Sequence, residues 1–127
     1  MVEIGRIERS VERYGQRFLD RVYTRAEQAY CLRKRKAGES LAARFAAKEA
    51  VMKALRTGIG GFALTDVEVC RTPGKGATRN APYLRLHDTA AELAGAQGAG
   101  TFHLSLSHTD GVAIAFVVAE QAPCAAS

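Results

Sequence analysis

The stretch SLAARFAAKEAVMKALR, residues 40–56, decides how the rest of this 127-residue chain is read. It is rich in alanine, the best helix former, and has no internal Gly or Pro. Ser40 is a good N-cap, so a helix is predicted from Leu41 to about Arg56, ended by Thr57-Gly58-Ile59-Gly60-Gly61. Within it Glu49 and Lys53 are four residues apart and share a face with Phe45. Such a pair is ordinarily a surface ion pair. The alternative is that Glu49 holds a hard cation while Lys53 faces a phosphate, the two parts that phosphoryl chemistry requires. The downstream glycines favour the second reading. Gly58, Gly60 and Gly61 would let backbone N–H groups approach a phosphate closely, whereas a helix C-cap explains one glycine better than three.

Upstream, Ile7 to Val22 has helical periodicity with a break near Gly15, and Ile7, Val11, Tyr14, Phe18 and Val22 form the expected buried stripe. Met1–Ile4 resembles the last residues of a strand. Thr24-Arg25-Ala26-Glu27 has the T-x-x-E form of a capping box and predicts a short helix towards Cys31. Arg33 to Glu39, closing with Gly38, reads as a charged loop. Downstream, Thr65–Cys70 alternates like a strand, Pro73-Gly74-Lys75-Gly76 turns, and Pro82–Leu86 returns. Asp88 or Thr89 caps a helix through about Gln97. Phe102–Ser107 and Val112–Ala119 form two strands joined by Thr109-Asp110-Gly111, a hairpin signal. The fold class is therefore α+β in a single domain, helices packed on a small antiparallel sheet, with a domain over residues 1–120 and a flexible tail over 121–127.

In His103-Leu104-Ser105-Leu106-Ser107-His108, strand alternation puts His103, Ser105 and Ser107 on one face and the two leucines on the other. His108, at the strand's end before a tight turn, is either a phosphate ligand or a structural turn residue. Ser105 lacks the G-x-S-x-G elbow of a hydrolase nucleophile. Gly58-Ile59-Gly60 follows a helix rather than a strand, so it is not a dinucleotide fingerprint.

Composition narrows the field. The chain is 47% hydrophobic and 24% charged, as in ordinary globular proteins. No apolar run approaches the roughly 20 residues of a membrane helix, and the N-terminus carries no secretion-type apolar segment. Cys31, Cys70 and Cys124 are widely spaced and read as reduced cytoplasmic thiols rather than a disulfide framework or zinc site. The net charge of +5 is uneven: residues 1–60 hold fourteen Lys and Arg against seven Asp and Glu, and residues 61–127 hold four against six. Arg6, Arg9, Arg13, Arg17 and Arg21 recur at helical spacing, and Arg33-Lys34-Arg35-Lys36 follows. These residues form either a site for an anionic partner or a solvated face countered by Glu8, Glu12 and Asp20.

VEIGRI (Val2–Ile7), FLDRVYTRAE (Phe18–Glu27), ARFAAKEAVMKAL (Ala43–Leu55), TGIG (Thr57–Gly60) and HLSLSHTDGVAIAFVV (His103–Val118) together resemble the holo-[acyl-carrier-protein] synthases, the short trimeric type of 4′-phosphopantetheinyl transferase. The resemblance implies a 4′-phosphopantetheinyl transferase-like fold and a Mg²⁺-dependent reaction. A serine of apo acyl carrier protein would attack the β-phosphate of coenzyme A, releasing adenosine 3′,5′-bisphosphate, in fatty acid and lipid biosynthesis. It implies that Glu49 is a Mg²⁺ ligand that helps activate the serine, and that Lys53 neutralises charge on the α-phosphate. Arg44, Lys48, the Gly58 to Gly60 loop and His108 would contact coenzyme A. Arg6, Arg13, Arg17 and Arg21 would dock the acidic carrier protein. A cytoplasmic homotrimer with sites between subunits is implied as well. In the family the N-terminal strand reads GxDIVEI, and its Asp is a second Mg²⁺ ligand. Here that position falls just before Met1, so the expectation is that the natural protein's strand extends further upstream. Arg56 stands where the family usually has Gly.

Two other classes compete. A module that binds carrier protein or coenzyme A without turnover would fit the absence of that Asp. A basic nucleic-acid binder would show steep salt dependence, but the motif set lacks an aromatic stacking platform and most basic residues lie outside the strands, so partners of that kind, like membranes, are not expected.

Overall fold

The computed structural model describes residues 1–58, 60–73 and 81–121; the turn expected at Gly74-Lys75-Gly76 and the thiol of Cys124 lie outside them. The described chain runs β1 (Val2–Glu3), α1 (Ile4–Tyr14), α2 (Gln16–Val22), α3 (Arg25–Leu32), α4 (Ala37–Ala54), a 3₁₀ turn (Leu64–Asp66), β2 (Val67–Arg71), β3 (Pro82–Leu86), α5 (Asp88–Ala96), β4 (Ala99–His108) and β5 (Val112–Gln121). Strands β1, β5 and β4 form one antiparallel sheet in that order, while β2 and β3 form a separate two-stranded ribbon. The single sheet expected from the sequence is thus two.

The long α4 is the spine. Leu41, Ala42, Ala43, Ala46, Ala47, Val51 and Met52 are all buried, and the helix touches β1, β2, β4, β5, α1 and α3. Its small side chains let neighbours approach from several sides. Its first half joins a core of Ile4, Ile7, Leu19, Val22 and Tyr23; its second half joins Phe62, Val67, Ala90 and Ala94.

Gly15 separates α1 from α2 with φ +56° and ψ −133°, a backbone region that only glycine enters without strain. The break shifts the helical phase, so Ile4 and Leu19 are buried while Tyr14, expected in the stripe, is 52% exposed. The capping box at Thr24 forms in full: Thr24 Oγ1 accepts from Glu27 N at 3.2 Å and Glu27 Oε1 accepts from Thr24 N at 3.0 Å.

Several boundaries move. Helix α4 starts at Ala37, inside the expected charged loop, and Lys36 is its N-cap. Ser40 is therefore not a cap: its hydroxyl donates to Cys31 Sγ and accepts from Arg44 Nη1. Thr65 and Asp66 belong to the 3₁₀ turn rather than to β2. His87, not Asp88 or Thr89, caps α5. Strands β4 and β5 are longer than expected, and Gln121 closes β5 rather than opening a tail.

Candidate functional site

The side chains with the strongest claim on a ligand gather where the start of α4 meets β2, β3 and the end of β4. Lys34, Arg35, Lys36, Arg44, Arg71 and His108 line a groove of about 390 Å³ there. Helix and strand each contribute through ordinary geometry. Arg44 lies two turns into α4 on the face of Lys36 and Ser40, and His108 is the last residue of β4, where alternation leaves its ring half exposed.

Arg44 is the unusual member. It is 1% exposed, its Nη1 donates to Ser40 Oγ at 3.1 Å, and its Cζ lies 4.5 Å from the centre of the Tyr30 ring. Among the described residues its Nε has no hydrogen-bond partner. A buried guanidinium with an unused donor and no carboxylate against it is costly unless an anion completes it. Lys34 also sits over Tyr30, its Nζ 4.5 Å from the ring centre, with Arg71 at 5.7 Å. Burial pushes the Tyr30 hydroxyl's pKa up, yet Arg71, Lys34 and Arg44 together bring it below the ordinary tyrosine value. The pocket's electrostatics thus favour negative charge.

Lys48, grouped with these by resemblance, is elsewhere. It is wholly buried, and its Nζ donates to Glu27 Oε1 at 2.8 Å, to Leu64 O at 3.1 Å and to Val67 O. All three ammonium protons are used, so the expected contact with coenzyme A is withdrawn in favour of a structural ion pair. Burial lowers the Lys48 pKa, with Glu27 pulling the other way. Glu27 is equally saturated: Oε1 also accepts from Thr24 N, and Oε2 accepts from Val69 N at 3.0 Å. The capping box at Thr24 was the sequence signal for Glu27, but its long-range partners had none.

Glu49 and Lys53 lie further along α4. Glu49 is half-buried and Lys53 exposed, and neither lines the His108 groove of this chain. The ordinary reading of that spacing, a surface ion pair between Glu49 and Lys53, does not form among the described residues. Among the described residues Glu49 thus has no ion-pair partner, and its carboxylate is partly desolvated. A magnesium ion ordinarily takes one or two carboxylates together with phosphate oxygens and water, so this donor fits as a single protein ligand. Among the described residues no three His, Cys, Asp or Glu side chains converge as a ready-made cage. Gly58 and Gly60 are exposed after α4, and Gly60 has φ +100°; a side chain at Gly61 would strike Thr57.

The arginines of α1 and α2 are all exposed. Arg6, Arg9 and Arg13 line one surface hollow with Tyr14, and Arg17 and Arg21 line a second with Tyr14 and Phe18. Arg13 stacks on Tyr14 at 5.4 Å, so the tyrosine assigned to the core belongs to the basic surface. No described helix is long and apolar enough to cross a membrane.

The fold and groove define an α+β protein with a cation-rich groove and a separate arginine-rich helical face. Residues 1–117 match the family model described as the 4′-phosphopantetheinyl transferase superfamily. A holo-[acyl-carrier-protein] synthase of Koribacter versatilis is 48% identical over 121 residues, covering 94% of this chain and 93% of its own, and one of Moorella thermoacetica is 47% identical over 94% and 89%. Among solved structures, Helicobacter pylori holo-[acyl-carrier-protein] synthase in complex with coenzyme A superposes with a TM-score of 0.79 at 35% identity, covering 94% of this chain and 95% of that one. The Neisseria meningitidis enzyme gives 0.82 at 31%, covering 94% and 93%. The chain belongs to the 4′-phosphopantetheinyl transferase superfamily and, within it, to the holo-[acyl-carrier-protein] synthases.

Proposed function

We propose that this chain moves 4′-phosphopantetheine from coenzyme A to a serine of apo acyl carrier protein, with Mg²⁺ present. The serine hydroxyl passes its proton to water, its Oγ forms a bond to the β-phosphorus, the bond from that phosphorus to the bridging oxygen breaks, and adenosine 3′,5′-bisphosphate leaves with the electron pair. Arg44 and His108 hold phosphate groups of coenzyme A in the basic groove, and the Gly58 to Gly60 loop adds backbone donors. Glu49 would hold the metal and help activate the serine, and Lys53 compensates charge arising on the α-phosphate as the leaving group departs. When bound, Mg²⁺ supplies charge neutralisation to the diphosphate. Arg6, Arg13, Arg17 and Arg21 present a cationic face to the acidic carrier protein.

The observation that carries this reading is Arg44, a buried guanidinium whose Nε lacks a partner inside a groove rich in cations. A homotrimer with sites between subunits agrees with two further features. Glu49 and Lys53 stand outside the groove of their own chain, and Phe116 and Val118 of β5 are 70% and 58% exposed, an apolar surface suited to a second copy. The free thiols of Cys31 and Cys70 agree with a reducing cytoplasm, where fatty acid synthesis would use the product.

Incubating the protein with coenzyme A, Mg²⁺ and apo carrier protein tests the reading. The carrier's mass should rise by one phosphopantetheine, and Glu49→Gln should slow transfer on the order of 10²–10³-fold. Measurable coenzyme A affinity without any mass gain would establish the binding-module alternative instead.

A further inference from the structure

The groove contains one acid among its described residues. Glu39, on the first turn of α4, places Oε1 3.7 Å from Lys36 Nζ and Oε2 3.6 Å from His108 Nε2. Its side chain is 21% exposed, against 72% for Lys36 and 50% for His108, so the carboxylate sits deeper than the two side chains it bridges.

The distances decide what this acid can do. A carboxylate that orients a histidine does so through a hydrogen bond near 2.7–3.0 Å, and this chain has such a pair: Glu68 Oε1 lies 2.9 Å from His87 Nε2. Both contacts of Glu39 exceed hydrogen-bonding range. They are loose Coulombic contacts in a partly solvated site, easily exchanged for a stronger acceptor. Electrostatically, Glu39 opposes any anion entering the groove.

Resting on the assignment of the groove to coenzyme A, we propose that Glu39 is a resident counter-anion that a ligand phosphate must displace from Lys36 and His108, and that it thereby caps the groove's affinity for its phosphorylated substrate. In the free protein it neutralises part of a cluster of five Lys and Arg side chains that would otherwise repel itself. In the bound protein the phosphate takes over those contacts, and Glu39 remains as a nearby like charge that eases the phosphorylated product out.

Titration calorimetry with coenzyme A, and with inorganic pyrophosphate as a minimal probe, tests the proposal on the wild type and Glu39→Gln, after thermal melts show that both are folded. Removing one like charge at the groove should tighten binding of both probes by about three- to tenfold. The salt dependence should steepen as well, because more net positive charge faces the ligand. In a His108→Gln background the gain should shrink, since one of the contacts being competed for is gone. Unchanged or weaker binding by Glu39→Gln, with normal wild-type binding, would overturn the counter-anion and make Glu39 a positioning residue for His108. Failure of both proteins to bind either probe would remove the groove assignment along with the proposal.

Discussion

Helix α4 carries two acid–base pairs that differ in almost every physical respect. Lys48 and Glu27 meet at 2.8 Å with both side chains fully buried, and the acceptors and donors around them are saturated by α3, β2 and the 3₁₀ turn. Glu39 and His108 stand 3.6 Å apart at the edge of the groove, partly wet, next to an Arg44 that still has a donor to offer. The first arrangement ties four elements together and leaves nothing for a ligand. The second contributes little to architecture and leaves charge to spare. Saturation, rather than charge or burial alone, distinguishes the two ions: Arg44 and Lys48 are both buried cations on one helix, and among the described residues only Arg44 of the two is incompletely satisfied.

The sharpest way to break the comparison is Lys48→Met. It strands the Glu27 carboxylate in the interior and should cost roughly 3–5 kcal/mol, measured by urea denaturation. Adding Glu27→Leu should recover much of that loss, since no uncompensated charge then remains. A mild effect of the single substitution would mean that the interior pair is not saturated as described.

A smaller effect separates the second tight pair from the loose one. Burial works against the Glu68 carboxylate, but hydrogen bonds from His87 and Thr24 outweigh it and hold its pKa below the ordinary glutamate value. The stability this contributes is complete above the unfolded-state pKa and is lost as pH falls through the lowered folded value. The melting temperature of the wild type should therefore exceed that of His87→Gln near neutral pH, with the gap closing as the solution is made acidic. For the Glu39–His108 contact, His108→Gln should leave the melting temperature nearly unchanged at the same pH values.

The smallest expected effect is at the end of α4. Arg56 has φ +59°, a left-handed conformation after the helix that favours glycine. Arg56→Gly should stabilise the fold by about 1 kcal/mol, read as a rise in melting temperature.

Local chemistry was legible. The T-x-x-E pattern identified the Thr24 cap, alternation placed His103, Ser105 and Ser107 on the exposed face of β4, and Gly15 marked the break between α1 and α2. Motifs running through nearly the whole chain pointed to the family. What failed did so where a local signal had a stronger tertiary competitor. Ser40 has cap chemistry, but packing extends α4 by a turn and its hydroxyl serves Cys31 and Arg44 instead. Tyr14 fits a continuous helical stripe, but the phase change at Gly15 turns it outward.

The division between Arg44 and Lys48 lay beyond any sequence pattern. Helix α4 is buried around most of its circumference, so periodicity marks no single inner face on which to sort its charges. Sequence alone determined the helix, its cations and acids, and the family they belong to, because propensity, capping and motif spacing act over a few residues. Which cation is spent on Glu27 and which keeps an unmet donor among the described residues was decided only by the fold. Leu64 and Val67 meet Lys48 of α4, and Val69 meets Glu27 of α3, from far along the chain, and a hydrogen bond is specified by where its two ends finally meet.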